Sequence, residues 1–336
     1  MDFDPTQDQN QLIDAFNALY AKWSTPDLVR RAEAVGFDPE LWDQLGQIGA
    51  IEMAVPESSG GAGASLLDLE LVSEQHGRWL ASVPMIESQV AARLLARLGG
   101  SAASELLESV IEGKRIVTIG LHRVRNGMLK LVPGGAVADA VVALDGDRLV
   151  AIPVTGSQAI KDNLGDLPLA DIPVPDSAIA LAAAATSDFE LAIDEWMSLT
   201  AAALAGLARR ALEIGVDYVK EREAFGVPIG SFQAVAHPLA DSATASEGAF
   251  LLARKAAWSA ESLPERFSQL APLSFAFAAE TAQEASYRSL HFHGGYGFMM
   301  EYDIQLYFRR AKAWPAIFME PRRAYRLAAV RRRAAS

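Results

Sequence analysis

The 336-residue sequence contains no cysteine. That excludes a disulfide framework, a thiolate nucleophile and a cysteine-ligated metal. Histidine offers little in compensation: His291 and His293 stand two residues apart, a spacing that does not share one face of a helix, and His237 reads as a core or groove residue. No metal site is expected. Positive charge is also scarce, with 30 Lys and Arg against 42 Asp and Glu and a formal net charge of −12. A nucleic-acid surface needs cations gathered on one face, and the one basic cluster, Arg322 to Arg333, reads as a solvated last helix. No nucleic acid partner is expected. No uninterrupted apolar run reaches the ~18 residues of a membrane-spanning helix, and the opening "MDFDPTQDQN" lacks the basic and apolar regions of a secretory signal. The expectation is a soluble cytoplasmic protein with no membrane partner.

What is present is apolar patterning. With 51% hydrophobic residues, a chain of this length can bury two or three domain cores. Three zones differ in period. Residues 1–114 read as an N-terminal helical domain broken at "STPD", "GFDPE" and "PESSGGAGAS". Ser65 followed by Asp68 resembles a capping box opening the next helix, and Gly77 is placed to stop it. Residues 115–178 read as a small β domain, in which Asn126-Gly127 and Asp145-Gly146 favour the positive φ angles of tight hairpins and predict antiparallel strands. Residues 186–336 hold apolar residues at three- and four-residue intervals over long segments, near 194–223, 232–262 and 271–293. Long helices with short loops predict a four-helix bundle, with a kink or late start at Pro238. The fold class is therefore mainly α with a small β domain.

This order of domains, together with "LWDQLGQIGAIEMAVPESSGGAGAS", "REAFGVPIGSFQAVAHPLAD" and "HFHGGYGF", resembles the acyl-CoA dehydrogenase family over nearly the whole chain. The resemblance implies FAD as cofactor and an acyl-CoA thioester as substrate. Arg222, Phe225, Gln233, His291, Gly294 and Gly295 match the family's FAD contacts, which reach mainly into the neighbouring subunit's site. The chemistry suits the role: a guanidinium for pyrophosphate, an aromatic face, an amide, and glycines that let a backbone approach. Read without the family, Arg222 is a helix-end charge and the glycines form a helix C-cap.

Two family features are missing. The β zone lacks the "TEP-x-(A/G)-GSD"-like and "W-(I/V)-(T/S)" strands that cover a subunit's own flavin, and looks shortened. The reaction, α,β-desaturation, needs a buried carboxylate as base, yet the usual position, six residues after Lys312 in "RRAK", is Phe318. Relatives that place the base early in the first bundle helix align it with Trp196. Glu195, one residue away, is the candidate, against a reading as an exposed first-turn carboxylate. Glu301 and Glu320 are weaker candidates.

Three functions remain open. One is a subunit of a heteromeric acyl-CoA dehydrogenase, paired with a paralogous catalytic subunit as α2β2 and acting on bulky thioesters of the steroid side-chain type. The second is a self-sufficient homo-oligomer with a relocated base. The third is a non-catalytic scaffold. The electron acceptor is not specified by the sequence.

Overall fold

A computed structural model describes residues 3–334. The first helix, α1 (Gln7–Trp23), opens on a capping box in which Thr6 and Gln9 exchange side-chain to backbone hydrogen bonds. The three sequence breakers fall in the connections before α2 (Pro26–Ala32), α3 (Pro39–Gln47) and α4 (Leu66–Arg78). The Ser65–Asp68 box is present: the Ser65 N–H donates to Oδ2 of Asp68 at 3.0 Å, and the Asp68 N–H donates to Oγ of Ser65 at 3.1 Å. Helices α5 (Met85–Leu98) and α6 (Ser101–Ile111) follow.

The packing gathers the chain into two units. One comprises residues 27–69 and 82–196 and contains α2, α3, α5, α6 and the strands β1 (Val117–Ile119), β2 (Met128–Val132), β3 (Ala140–Asp145), β4 (Arg148–Pro153), β5 (Ala170–Pro173) and β6 (Ile179–Ala182). The Asp145-Gly146 hairpin forms as expected, with β3 and β4 antiparallel from Asp145↔Arg148 to Ala140↔Pro153. The Asn126-Gly127 turn forms too, with φ of +52° and +68°, but closes only an Arg125↔Met128 bridge. Its flanking strands part company: β1 pairs in parallel with β3, and β2 pairs with β5. Local turn chemistry fixes a reversal, whereas burial chooses the pairing partner. Here the buried set Leu129, Val132, Val141, Ile152 and Ile172 forms one core. Strand β6, just beyond residue 178, closes the sheet against β4.

The other unit comprises residues 1–26, 70–81 and 197–336, so α4 and α7 (Thr186–Glu221) each contribute to both units. It holds most of the long helices: α8 (Gln233–Ser262), α9 (Pro264–Phe292), α10 (Ile304–Ala316) and α11 (Pro321–Ala334). Between α7 and α8 lies a two-residue hairpin, β7 (Glu223–Ala224) and β8 (Val227–Pro228). By length and composition α7 could cross a membrane, but 94% of its apolar window is buried in the protein, as befits a core helix. Helix α8 starts five residues before Pro238 rather than at it, and the Pro238 carbonyl accepts from Arg288 at 2.9 Å. Helix α9 starts at Pro264, earlier than expected, because proline suits the first helical position, and Pro272 is carried inside it.

Helix α4 ends at Arg78, one residue past the expected stop, with Gly77 still helical and Leu80 taking the left-handed φ of +52°. A Cβ at Gly77 would lie 1.7 Å from the Ala203 carbonyl oxygen, and one at Gly206 would lie 2.0 Å from that of Glu74, so the two glycines let the backbones of α4 and α7 touch. Charge is buried beside this crossing. Glu70 has no exposed surface and neither of its carboxylate oxygens is hydrogen-bonded; its nearest cation is Arg254, 3.9 Å away. Arg209 bridges Glu74 and Glu247 at 3.1 and 3.3 Å. His76, also buried, lies edge-on to Tyr20 and faces Trp314.

Candidate cofactor and catalytic site

The expected cofactor residues lie at two turns of the bundle unit. Arg222 ends α7, its carbonyl accepting from the Ile229 N–H at 2.7 Å to close the β7–β8 hairpin. Its guanidinium is exposed and makes no ion pair among the described residues. Phe225 sits at the hairpin tip, 97% exposed and with φ of +55°, a backbone region that a bulky residue adopts only when the surroundings require it. Phe232 meets it edge-on at 6.3 Å, and Gln233, exposed, starts α8. At the second turn His291 is exposed and stacked on Tyr287. Gly294 and Gly295 follow α9 in a short 3-10 turn, where an added Cβ would meet nothing within 4 Å. The approach these glycines permit is therefore from outside the chain. His293 instead points inward, stacked on Tyr218 at 3.9 Å with Nδ1 2.7 Å from the Ser289 carbonyl, and burial pushes its pKa down.

An FAD fits these residues as a group arriving from outside: a charged fork without a counterion, an uncovered aromatic ring and an open glycine turn. His237 is exposed rather than part of the core. Among the described residues no cluster of metal-ligating side chains occurs.

The catalytic positions read differently. Phe318 follows α10, half-buried and edge-on to the core ring of Phe275 at 6.4 Å. Glu195 is neither exposed nor in a first turn. It lies in the third turn of α7 and is 3% exposed. Its carboxylate accepts from Nε of Arg93 at 3.1 Å and from Nη1 of Arg97 at 2.8 and 2.9 Å. Charge-assisted bonds of this kind fix a carboxylate in place and occupy the lone pairs a base would use. Glu301 and Glu320 are exposed.

Sequence reasoning missed Glu87. It is carried on α5, and its Oε1 accepts from the indole N–H of Trp196 at 3.0 Å. Burial pushes its pKa up, against the opposing hydrogen bond from Trp196. The signal was a lone acid in the apolar run "PMIESQVAARLL", which periodicity alone cannot connect to a residue more than a hundred positions away.

The chain has counterparts among known proteins. Residues 6–114 match the acyl-CoA dehydrogenase N-terminal domain and residues 197–317 match the acyl-CoA dehydrogenase C-terminal domain. The chain belongs to the acyl-CoA dehydrogenase family. Members of this family are FAD-dependent oxidoreductases. The chain is 31% identical to the acyl-CoA dehydrogenase IpdE2 of Mycolicibacterium smegmatis, over 94% of this chain and 96% of that protein. Among solved structures it resembles a chain of the Tcur3481-Tcur3483 steroid ACAD, with a TM-score of 0.88 and 26% identity, covering 98% of this chain and 99% of that one. It also resembles a chain of the ChsE4-ChsE5 complex from Mycobacterium tuberculosis, with a TM-score of 0.87 and 26% identity, covering 100% and 99%.

Proposed function

We propose that this acyl-CoA dehydrogenase chain is the subunit of a heteromeric enzyme that does not carry the base. It completes the FAD site of a paralogous partner in an α2β2 assembly that desaturates a bulky acyl-CoA of the steroid side-chain type, in the cytoplasm. The observation that carries this reading is the exposed set of Arg222, Phe225, Gln233, His291, Gly294 and Gly295, which has chemistry for a dinucleotide and is open to a group from outside the chain. The likeness to chains from a steroid ACAD and from the ChsE4-ChsE5 complex supports both the partner and the substrate class. The division into 1–114, 115–178 and 186–336 belongs to the same proposal, supported by the family match that ends at residue 114.

When bound, FAD supplies the acceptor for the hydride that leaves the substrate's β-carbon. This chain's part is to hold it. Arg222 would take the pyrophosphate through forked, charge-assisted hydrogen bonds, Phe225 would cover an apolar face, and Gln233 and His291 would add hydrogen bonds. With Phe318 at the usual base position and Glu195 tied to two arginines, no proton at a substrate α-carbon is assigned to either residue.

A second reading has one observation in its favour. Glu87, a carboxyl pushed up by burial, touches Trp196, the alternative base position, so a self-sufficient homo-oligomer would use Glu87 rather than Glu195. Expressing the chain alone and beside a paralogous subunit, then counting flavin per chain after gel filtration, separates the readings. The heteromeric reading expects flavin only in the co-expressed complex, and Arg222→Ala should weaken its retention by on the order of 1.5–3 kcal/mol. A yellow, desaturating protein from this chain alone would establish the homo-oligomer.

A further inference from the structure

Helix α11 carries six arginines and no acidic residue, in a chain of net charge −12. Its inner face, Ala324 and Ala328, is buried. Beside it two adjoining hollows of about 500 and 460 Å³ share Gln269, Leu273 and Arg332 and form one groove among α8, α9 and α11. The floor is apolar, made by Leu252, Leu270, Leu273 and Ala328. The rim is cationic: Lys255 from α8, Arg266 from α9, and Arg332 and Arg333 from α11, against the single carboxylate Glu265. Lys255, Arg266 and Arg333 have no ion-pair partner among the described residues, whereas Arg331 donates to the Ser268 carbonyl at 2.8 Å.

Folding alone accounts for part of this. Arginines in the last turn of α11 are favoured by the helix dipole. Arg266 is not, since it lies in the first turn of α9, where the dipole disfavours a cation. Three helices thus bring like charges together over an apolar floor, at a position that stability of the isolated chain does not explain. A free anion would leave the floor wet. A lipid surface is too flat to follow a concave groove between helices. A chain segment with acidic residues on one side and apolar residues on the other satisfies both parts at once.

We propose that this groove binds an acidic amphipathic segment of a protein partner, its carboxylates meeting Lys255, Arg266 and Arg333 and its apolar side chains resting on Leu252, Leu270 and Leu273. The site lies on α8, α9 and α11 and uses none of the candidate FAD residues, so it stands whether or not the heteromeric reading does.

The test is fluorescence anisotropy with a labelled helical peptide of Glu and Leu, its leucines at three- and four-residue spacing, titrated with the full chain and with the co-expressed complex. Binding should be micromolar and weaken as salt is raised. The Arg266→Ala/Arg333→Ala double variant, whose exposed changes leave the core intact, should lose about tenfold in affinity, as expected from two rim ion pairs. A Leu273→Ser variant of unchanged circular dichroism should also bind more weakly. Equal binding of a leucine-free polyglutamate would overturn the proposal in favour of unspecific charge attraction. Sedimentation with phosphatidylglycerol vesicles in the absence of peptide binding would overturn it in favour of a membrane surface. An unchanged double variant, or no binding at all, overturns it outright.

Discussion

At the scale of single residues, the buried charges make the sharpest claims. Glu195→Gln removes the one carboxylate that Arg93 and Arg97 share, leaving two partly buried guanidinium groups without a counterion. Breaking such a pair typically costs about 3–5 kcal/mol. The variant should melt well below the parent in a thermal scan, while any complex that remains assembled keeps its desaturation rate. A loss of rate of ~10²-fold or more in folded, flavin-loaded complex would show that Glu195 is a base after all. Glu70 behaves differently, because burial, and after it the neighbouring Glu74, pushes its pKa well above the ordinary range while Arg254 and Arg209 oppose. A folded pKa above the unfolded one means that the contribution to stability is full below the ordinary value of 4.5 and is lost as pH rises through the raised value. Glu70→Gln cannot ionise. Its melting temperature should match the parent near pH 4 and exceed it increasingly as the pH rises above the ordinary carboxylate range. His76 runs the other way: burial, then Arg310, brings it down to about 3, so its contribution is lost as pH falls below its unfolded value. None of these pairings was legible in the sequence. Arg93 and Glu195 are 102 positions apart, and nothing local links them.

At the scale of elements, the helix contacts depend on glycine. Gly77→Ala and Gly206→Ala should each destabilise by about 1–3 kcal/mol or more, since backbone rather than flexible side chain stands in the way. Gly46→Ala, in α3 with nothing within 4 Å, should instead stabilise by about 0.4–1 kcal/mol. Denaturant melts of the three variants check both signs. Local chemistry made some elements readable: the Ser65–Asp68 box, the Asp145-Gly146 hairpin and the breakers before α2, α3 and α4 all stand where the sequence puts them. Where the sequence misled, a distant contact had taken over. Gly77 reads only as a stop because its contact with Ala203 is invisible from its neighbours, and the Asn126-Gly127 turn reads as a full hairpin because the pull of β3 on β1 is not local.

At the scale of the whole molecule, the domain order and three motifs were enough to identify the family, because family signatures sit at turns and glycines whose spacing a sequence displays directly. The placement of Arg222, Phe225 and the glycine turn on an exposed surface was not legible, since exposure follows from which helix faces pack. Phe225 is the clearest instance. Together with Phe298, 69% exposed, and Met300, 58% exposed, it leaves an isolated chain with apolar surface of the kind that associates unspecifically. Phe225→Ser should raise the soluble yield of the chain expressed alone and lower flavin retention in the complex, measured by centrifugation and absorbance. On the heteromeric pairing proposed above, a cell that made more of this chain than of its partner would hold a pool of sticky orphans for chaperones and proteases to clear. The ring at the hairpin tip would then tie the level of one gene product to that of another, and balanced synthesis would become a requirement written into a single side chain.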